Sequence, residues 1–185
     1  NEARGRLQIS QPDPRGPIRA QSVSVEVTRQ WNADRLTFGN SVFTAYQLNF
    51  RNFSSFSLLY TRDFERLDDL DTRGGPPIIR LADHIATASY FSDSRKRWGY
   101  GLQVTGVTDS EGGDSIRLLP SLRLQPSARL QASVNMEFTN AHDTAQWIRN
   151  QDTERDGIVD YVYGRLHRNV FSLTTRGTFA FTRDM

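Results

Sequence analysis

From Trp98 to Phe138 apolar and polar residues alternate almost without lapse, and the breaks fall where hairpins would put them. Leu130, Ala132, Val134, Met136 and Phe138 fall on one side of this pattern; Gln131, Ser133, Asn135 and Glu137 fall on the other. Strand side chains alternate faces with a period of two, so this stretch makes one apolar wall and one wet wall. Amphipathic segments of strand length separated by turns are the pattern of a transmembrane β-barrel wall, or failing that of an amphipathic sheet.

The same reading along the chain predicts an all-β, antiparallel up-and-down meander of about eight strands. The segments 98–107, 115–124 and 129–138 are the clearest. Before them come 22–31, with Val23, Val25 and Val27 in phase, then 41–50, 55–64 and 85–92, the last with both faces mixed. The final strand is 161–181, where Phe171, Leu173, Phe179 and Phe181 oppose Ser172, Thr174, Arg176 and Thr178. Pro120 lies inside 115–124, removes a ladder donor, and predicts a bulge or an edge there. Residues 1–20, with Pro12, Pro14, Pro17, Gly5 and Gly16, read as an extended N-terminal arm rather than a packed element, leaving 21–185 as the sheet or barrel domain.

Connection lengths carry a separate signal. The links 51–54, 93–97 and 125–128 are short; 32–40, 65–84, 108–114 and 139–160 are longer, and the two kinds alternate. Outer-membrane barrels keep this order, with short periplasmic turns at one end and longer external loops at the other. Trp31, Phe50, Phe64, Trp98, Phe138 and Phe181 lie near strand ends, where aromatic girdles would sit, although β propensity alone also places them there.

Composition narrows the function classes. The 185 residues carry 23 Lys and Arg against 21 Asp and Glu, a net charge of +2 without any block of like charge. A nucleic-acid surface needs basic residues gathered on one face or stripe, and here they are dispersed. Cysteine is absent, which removes disulfides and thiolate metal sites. No apolar run is long enough for a transmembrane helix, and no signal peptide is visible before the polar start at Asn1. The mean hydropathy of -0.58 does not argue against a membrane, because barrel strands are only half apolar.

The segment from Tyr161 to Met185, YVYGRLHRNVFSLTTRGTFAFTRDM, resembles a stretch near the end of the DUF5916 family, and Leu122 to Val134, LRLQPSARLQASV, is similar to the hairpin before it. That family comprises bacterial outer-membrane proteins in which a domain similar to carbohydrate-binding family 9 precedes a C-terminal β-barrel of unassigned function. The resemblance implies an outer-membrane barrel over residues 40–185 and carries over no catalytic residue. The carbohydrate-binding-like domain is missing, and Thr182 to Met185 reads as a short turn before a further strand, so the domain reads as truncated at its C-terminal end.

Candidate chemistry is sparse. Asp152-Thr-Glu-Arg-Asp-Gly-Ile-Val-Asp160 places Asp152, Glu154, Asp156 and Asp160 at alternating positions around a Gly, as in a calcium loop. Position three is Glu and position twelve is Tyr163 rather than a bidentate Glu, so a solvated acidic loop is the plainer reading. The acidic run Asp63, Glu65, Asp68, Asp69 and Asp71 has no ligand spacing at all, and His84, His142 and His167 share none with carboxylates. No nucleophile elbow or phosphate loop occurs, and Gly99-Tyr-Gly101 is too short for a dinucleotide fingerprint. Arg117, Arg123, Arg176 and Glu137 are expected on the polar wall as an internal ion-pair network or a lumen lining.

These readings lead to a non-enzymatic structural protein without a cofactor unless calcium binds, in contact with the lipid bilayer of a bacterial outer membrane. The alternatives are an extracytoplasmic, periplasmic subunit that packs on a larger membrane-protein complex, and a hydrolase or carbohydrate-binding activity borne by the long loops.

Overall fold

The computed structural model describes residues 1–33, 37–68, 75–152 and 159–181. Among the described residues there are eleven strands: β1 (Glu2–Gln11), β2 (Ile18–Trp31), β3 (Thr37–Phe50), β4 (Ser55–Asp63), β5 (Arg66–Asp68), β6 (Ile78–Arg80), β7 (Asp83–Phe91), β8 (Trp98–Asp109), β9 (Asp114–Ser127), β10 (Leu130–Gln151) and β11 (Asp160–Phe179). Nine of them form one antiparallel sheet in the order β1-β2-β3-β4-β7-β8-β9-β10-β11, while β5 and β6 pair only with each other. The all-β meander expected from the alternation is therefore present. The sheet is not closed, since β1 and β11 occupy its two edges.

Register explains why the alternation is so regular. One row of directly opposed residues crosses all nine strands: Ile9, Val23, Tyr46, Leu58, Ala88, Val104, Leu118, Phe138 and Phe171. The neighbouring row on the other face runs Ser10, Ser22, Gln47, Ser57, Ser89 and Gln103. Opposed residues share a face, so the period of two on each strand becomes one continuous apolar face and a second, mainly polar face in which Ala45, Leu59, Val107 and Leu119 are interspersed. Leu102, Val104, Leu130, Val134 and Met136 fall on the first, and Gln103, Gln131, Ser133, Asn135 and Glu137 on the second, as the pattern requires.

Hairpin order places the turns 12–17, 51–54, 92–97 and 128–129 at one end of the sheet and the connections 32–36, 64–82, 110–113 and 152–159 at the other; the expected alternation of short and long links is not kept, because 110–113 is no longer than 51–54 and is shorter than 92–97. Three further expectations need correction. Residues 2–11 of the presumed arm form β1, paired with β2 from Glu2↔Gln30 to Gln11↔Gln21, because the prolines are confined to the turn after Gln11 and Leu7 and Ile9 are in phase with Val25 and Val23. Residues 139–151 are not loop but the continuation of β10, paired with β11 out to Gln151↔Asp160. Pro120 makes neither a bulge nor an edge: β9 is interior, and its pairing with β10 stops after Asn135↔Ser121 and resumes at Phe138↔Leu118 in the same register.

Gly101 shows how tightly the polar face is packed near the short turns. It is buried opposite Phe91 and Ser121, and a Cβ there would collide with the Phe91 ring and the Ser121 hydroxyl. Gly106, on the apolar face of the same strand, would place a Cβ in open space. Gly101→Val is expected to lower stability by about 1–3 kcal/mol through overpacking. Gly106→Val is expected to be neutral or to gain up to about 1 kcal/mol of strand propensity. Urea unfolding of the two variants side by side checks this.

Candidate functional site

The functional surfaces of a single-layer sheet are its two faces, and here their exposure is inverted. Along β2, Val23, Val25 and Val27 are exposed while Ser24 is only 7% exposed. Ser89 and Ala45, both on the polar face, are equally buried. On the apolar face of the interior strands, Trp98 is 53% exposed, Val27 52% and Ile116 49%, and Leu102, Leu122, Leu124, Met136 and Phe138 are all open, whereas on the edge strands β1 and β11 both faces are exposed. A water-soluble sheet buries its apolar face against a second layer. Leaving a Leu, Val or Phe side chain in water forgoes about 1.5–3 kcal/mol each. An apolar surface that crosses nine strands far exceeds the patch a soluble monomer exposes, and marks an interaction or membrane surface.

The apolar face has defined limits. On β10 its outward residues run from Leu130 to Phe138, on β9 from Ile116 to Leu124 and on β11 from Phe171 to Phe179. Nine residues at about 3.4 Å per step extend roughly 27 Å along the strand and would stand roughly 21 Å tall at the tilt of about 40° that strands take in an outer-membrane barrel, whose apolar band is about 25 Å. Beyond Phe138 the same face turns polar. Asn140 Nδ2 donates to Asn169 Oδ1 at 2.6 Å, and His142 Nδ1 lies 3.1 Å from Asp114 Oδ1. The His142 and His167 rings meet edge to face, with centroids 4.3 Å apart. His84 stands in the same row of opposed residues, its Nδ1 2.7 Å from the Tyr60 hydroxyl. The three histidines, far apart in sequence, thus share one row at the rim of the band. At the opposite, short-turn limit Tyr90, Tyr100 and Trp98 pack ring to ring at 5.9 and 5.7 Å. Both limits carry amphipathic side chains of the kind that sit at a membrane–water interface.

The polar wall carries the expected ionic groups. Arg117 Nε lies 2.8 Å from Glu137 Oε1, and Thr139 Oγ1 donates to the same oxygen at 3.3 Å. On β1 and β2, Arg4 Nε lies 3.4 Å from Glu26 Oε1. Arg176 stands opposite Ser133. Arg123 is used otherwise: its guanidinium lies over Gly99 and donates to the carbonyl of Ser94, so it braces the 92–97 turn. The Gly99 and Gly101 pair thus has a packing role, making room for Arg123 and Phe91.

The short turns are tied to one another. Phe53 adopts a left-handed backbone (φ 62°), which is uncommon for a bulky residue, and its ring lies between Arg19 at 5.1 Å and Arg95 at 3.0 Å. Asp93 accepts from the Arg95 amide at 3.0 Å and from Arg95 Nε and Nη2, both at 2.9 Å. Asp93 is itself little exposed.

Of the calcium-loop candidates, Asp152 directly follows β10 and Asp160 opens β11 opposite Gln151, whereas Glu154 and Asp156 lie outside the described residues. Asp69 and Asp71 of the acidic run also lie outside them. Among the described residues no group of three or more His, Asp or Glu side chains is placed to hold a metal ion.

The hydrogen bonds and charge of Arg95 pull the Asp93 carboxyl down from its ordinary value of 3.8 to about 2. A depressed folded-state value adds stability above pH 4 that disappears as pH falls through about 2. Asp93→Asn is therefore expected to lower the melting temperature at pH 7 and to melt with the parent protein at pH 2. Thermal unfolding across this range in matched buffers measures the convergence.

No protein-family model, curated protein or solved structure matches the chain.

Proposed function

We propose that this chain forms part of the wall of a bacterial outer-membrane β-barrel, with a structural rather than an enzymatic role. The observation that carries this reading is the inverted exposure of the sheet: its apolar face is open and its polar face is crowded. Lipid is the solvent in which such a face is stable, and a barrel is the form in which strands cross it, because every backbone group is then paired. The height of the apolar band and the aromatic and histidine rims support the same reading, as does the resemblance of residues 161–185 to the DUF5916 barrels. The edges at β1 and β11 are covered in this reading by further strands or by another chain, since open edges do not persist in lipid.

Two measurements test it. The protein is expected to float with phospholipid vesicles after refolding and to need detergent to remain dispersed. Leu102, at the middle of the band on β8, reports the solvent of the apolar face. Replacing an exposed leucine by arginine on a water-facing surface changes stability by no more than about 0.5 kcal/mol. At the midplane of a bilayer the same change costs about 2–4 kcal/mol. Leu102→Arg is expected to fall in the second range when unfolding is followed in vesicles. A protein that stays in the aqueous phase without detergent overturns the barrel. If it then co-purifies with a membrane-protein assembly, the periplasmic subunit docked by its apolar face takes its place.

A further inference from the structure

Charge is divided between the two ends of the sheet. In the turns 12–17, 51–54, 92–97 and 128–129, and within two residues of them, seven Lys and Arg stand against Asp13 and Asp93. Arg15 and Arg19 belong to the first turn, Arg51 to the second, Arg95, Lys96 and Arg97 to the third and Arg129 to the fourth, and all are exposed. The connections at the opposite end and the strand residues within two of them hold nine Asp and Glu against Arg62, Arg66 and Arg80 among the described residues. Scattered along the chain, the cations are gathered by hairpin order.

The basic turns form one rim. The Arg51 amide donates to the Pro17 carbonyl at 2.9 Å, which joins the first turn to the second. The Phe53 ring, held between Arg19 and Arg95, joins the second to the third, and the Gln125 amide donates to the Arg97 carbonyl, which joins the third to β9. Little of the charge on this rim is balanced. Arg95 is paired with Asp93, whereas among the described residues Arg15, Arg51, Lys96, Arg97 and Arg129 have no ion pair. Cations gathered in this way raise a positive potential that draws anions.

The position of the cations identifies the anion. Each hairpin sets one of them directly beside an outermost residue of the apolar face: Ile18-Arg19, Phe50-Arg51, Arg97-Trp98 and Arg129-Leu130. Trp98, stacked on Tyr100, and Leu130 are both exposed. A bilayer with anionic lipids offers the matching order of hydrocarbon, then the interface that favours Trp and Tyr, then phosphate. The alkyl stems of Lys and Arg lie along apolar surface while their charged heads reach past it. A nucleic acid could use the cations and stack on the rings, but it gains nothing from the aliphatic side chains that adjoin them.

We infer that the short-turn rim binds the phosphate headgroups of anionic phospholipids and gathers those lipids at that edge of the apolar band. The inference rests on the barrel reading, in which the band stands in hydrocarbon, and adds the class of lipid that meets one of its edges.

Trp98 reports on the rim. Trp31→Phe/Trp147→Phe leaves it the sole tryptophan of the chain, and this protein serves as the parent. The parent is refolded in phosphatidylcholine vesicles in which about one lipid in five is phosphatidylglycerol, and either lipid is supplied in brominated form to quench Trp98. Each Lys or Arg near an anionic surface is worth about fivefold in affinity, so quenching is expected to show phosphatidylglycerol enriched at least threefold around Trp98. Arg15→Gln/Arg51→Gln/Lys96→Gln/Arg97→Gln/Arg129→Gln is expected to return it to its bulk share, and Arg15→Lys/Arg51→Lys/Arg97→Lys/Arg129→Lys to keep the enrichment. Salt at about 1 M, which screens charges beyond about 3 Å, is expected to abolish the enrichment in the parent without any substitution at the rim. Quenching by both lipids in proportion to their bulk shares, or enrichment that survives either the Gln substitutions or the salt, overturns the rim as an anionic-lipid site and leaves the barrel standing. Quenching by neither lipid overturns the barrel and the rim together, and a parent that then retards a single-stranded oligonucleotide in a gel gives the cations to nucleic acid instead.

Discussion

A sheet one layer thick has two faces and no second layer to cover either, so the solvent on each side must match the side chains it meets. This constraint governs the molecule. The row from Ile9 to Phe171 puts nine apolar side chains in line across the sheet, and the row from Ser10 to Gln103 behind it is polar throughout. Packing two such rows against a common aqueous solvent would leave tens of kcal/mol of apolar burial unrealised. Placing lipid against one and water against the other satisfies both, and backbone pairing within the sheet answers the remaining demand, that no N–H or C=O face hydrocarbon alone. The polar wall can then carry Arg117 with Glu137 and Arg4 with Glu26 at little cost, because those groups keep access to water.

The edges follow from the same demand. Seven antiparallel strands separate β1 from β11, so the two edge strands run in the same direction. In the proposed barrel, a ring that is antiparallel throughout contains an even number of strands, so an odd number would join these nine, whichever chain supplied them. Two copies set edge to edge about the barrel axis would instead pair β11 with β1 in parallel at both seams. The edge faces themselves do little to discourage partners: β11 brings Phe171, Leu173 and Phe179, all exposed, into its outermost position.

How much of this was legible in the sequence depended on whether the information was local. Strands β2 to β4 and β7 to β11 announced themselves, because an apolar residue at every second position is visible wherever one face is apolar. The signal failed where that face leaves the band. After Phe138 the outward residues become Asn140 and His142, so the alternation fades although β10 runs on to Gln151, and the second half of the strand reads as a loop. β1 was hidden because Leu7 and Ile9 are its only strong apolar residues and prolines follow at once. The row of His84, His142 and His167 and the close approach of Gly75 to Tyr161 depend on contact between distant segments, which no spacing along one segment reveals. The polar wall was legible at Arg117 and Glu137, which are diagonal neighbours on one face, but not at Arg123, whose partner is a turn carbonyl.

Where the sheet is irregular also reflects its surroundings. The register shifts fall between Ile18 and Ala20, Gln30 and Trp31, Leu130 and Ala132, Asp143 and Gln146, and Trp147 and Arg149. Those on β2 and the first on β10 sit at strand ends, and the last two lie past the histidine row, outside the apolar band. A bulge leaves a backbone group unpaired and turns every later side chain to the other face. Within the band it would put Ser133 or Gln103 on the apolar face and Val134 or Leu102 on the polar one, along with an unsatisfied amide. At the rim, water satisfies the amide and the side chains are polar on both faces, so the cost vanishes. Pro120 obeys the same logic from the opposite direction: it interrupts the ladder in mid-band, but it adds no residue and has no N–H to leave bare, so the register on both sides of it is the same. The tolerance of the sheet for defects thus changes where its solvent changes.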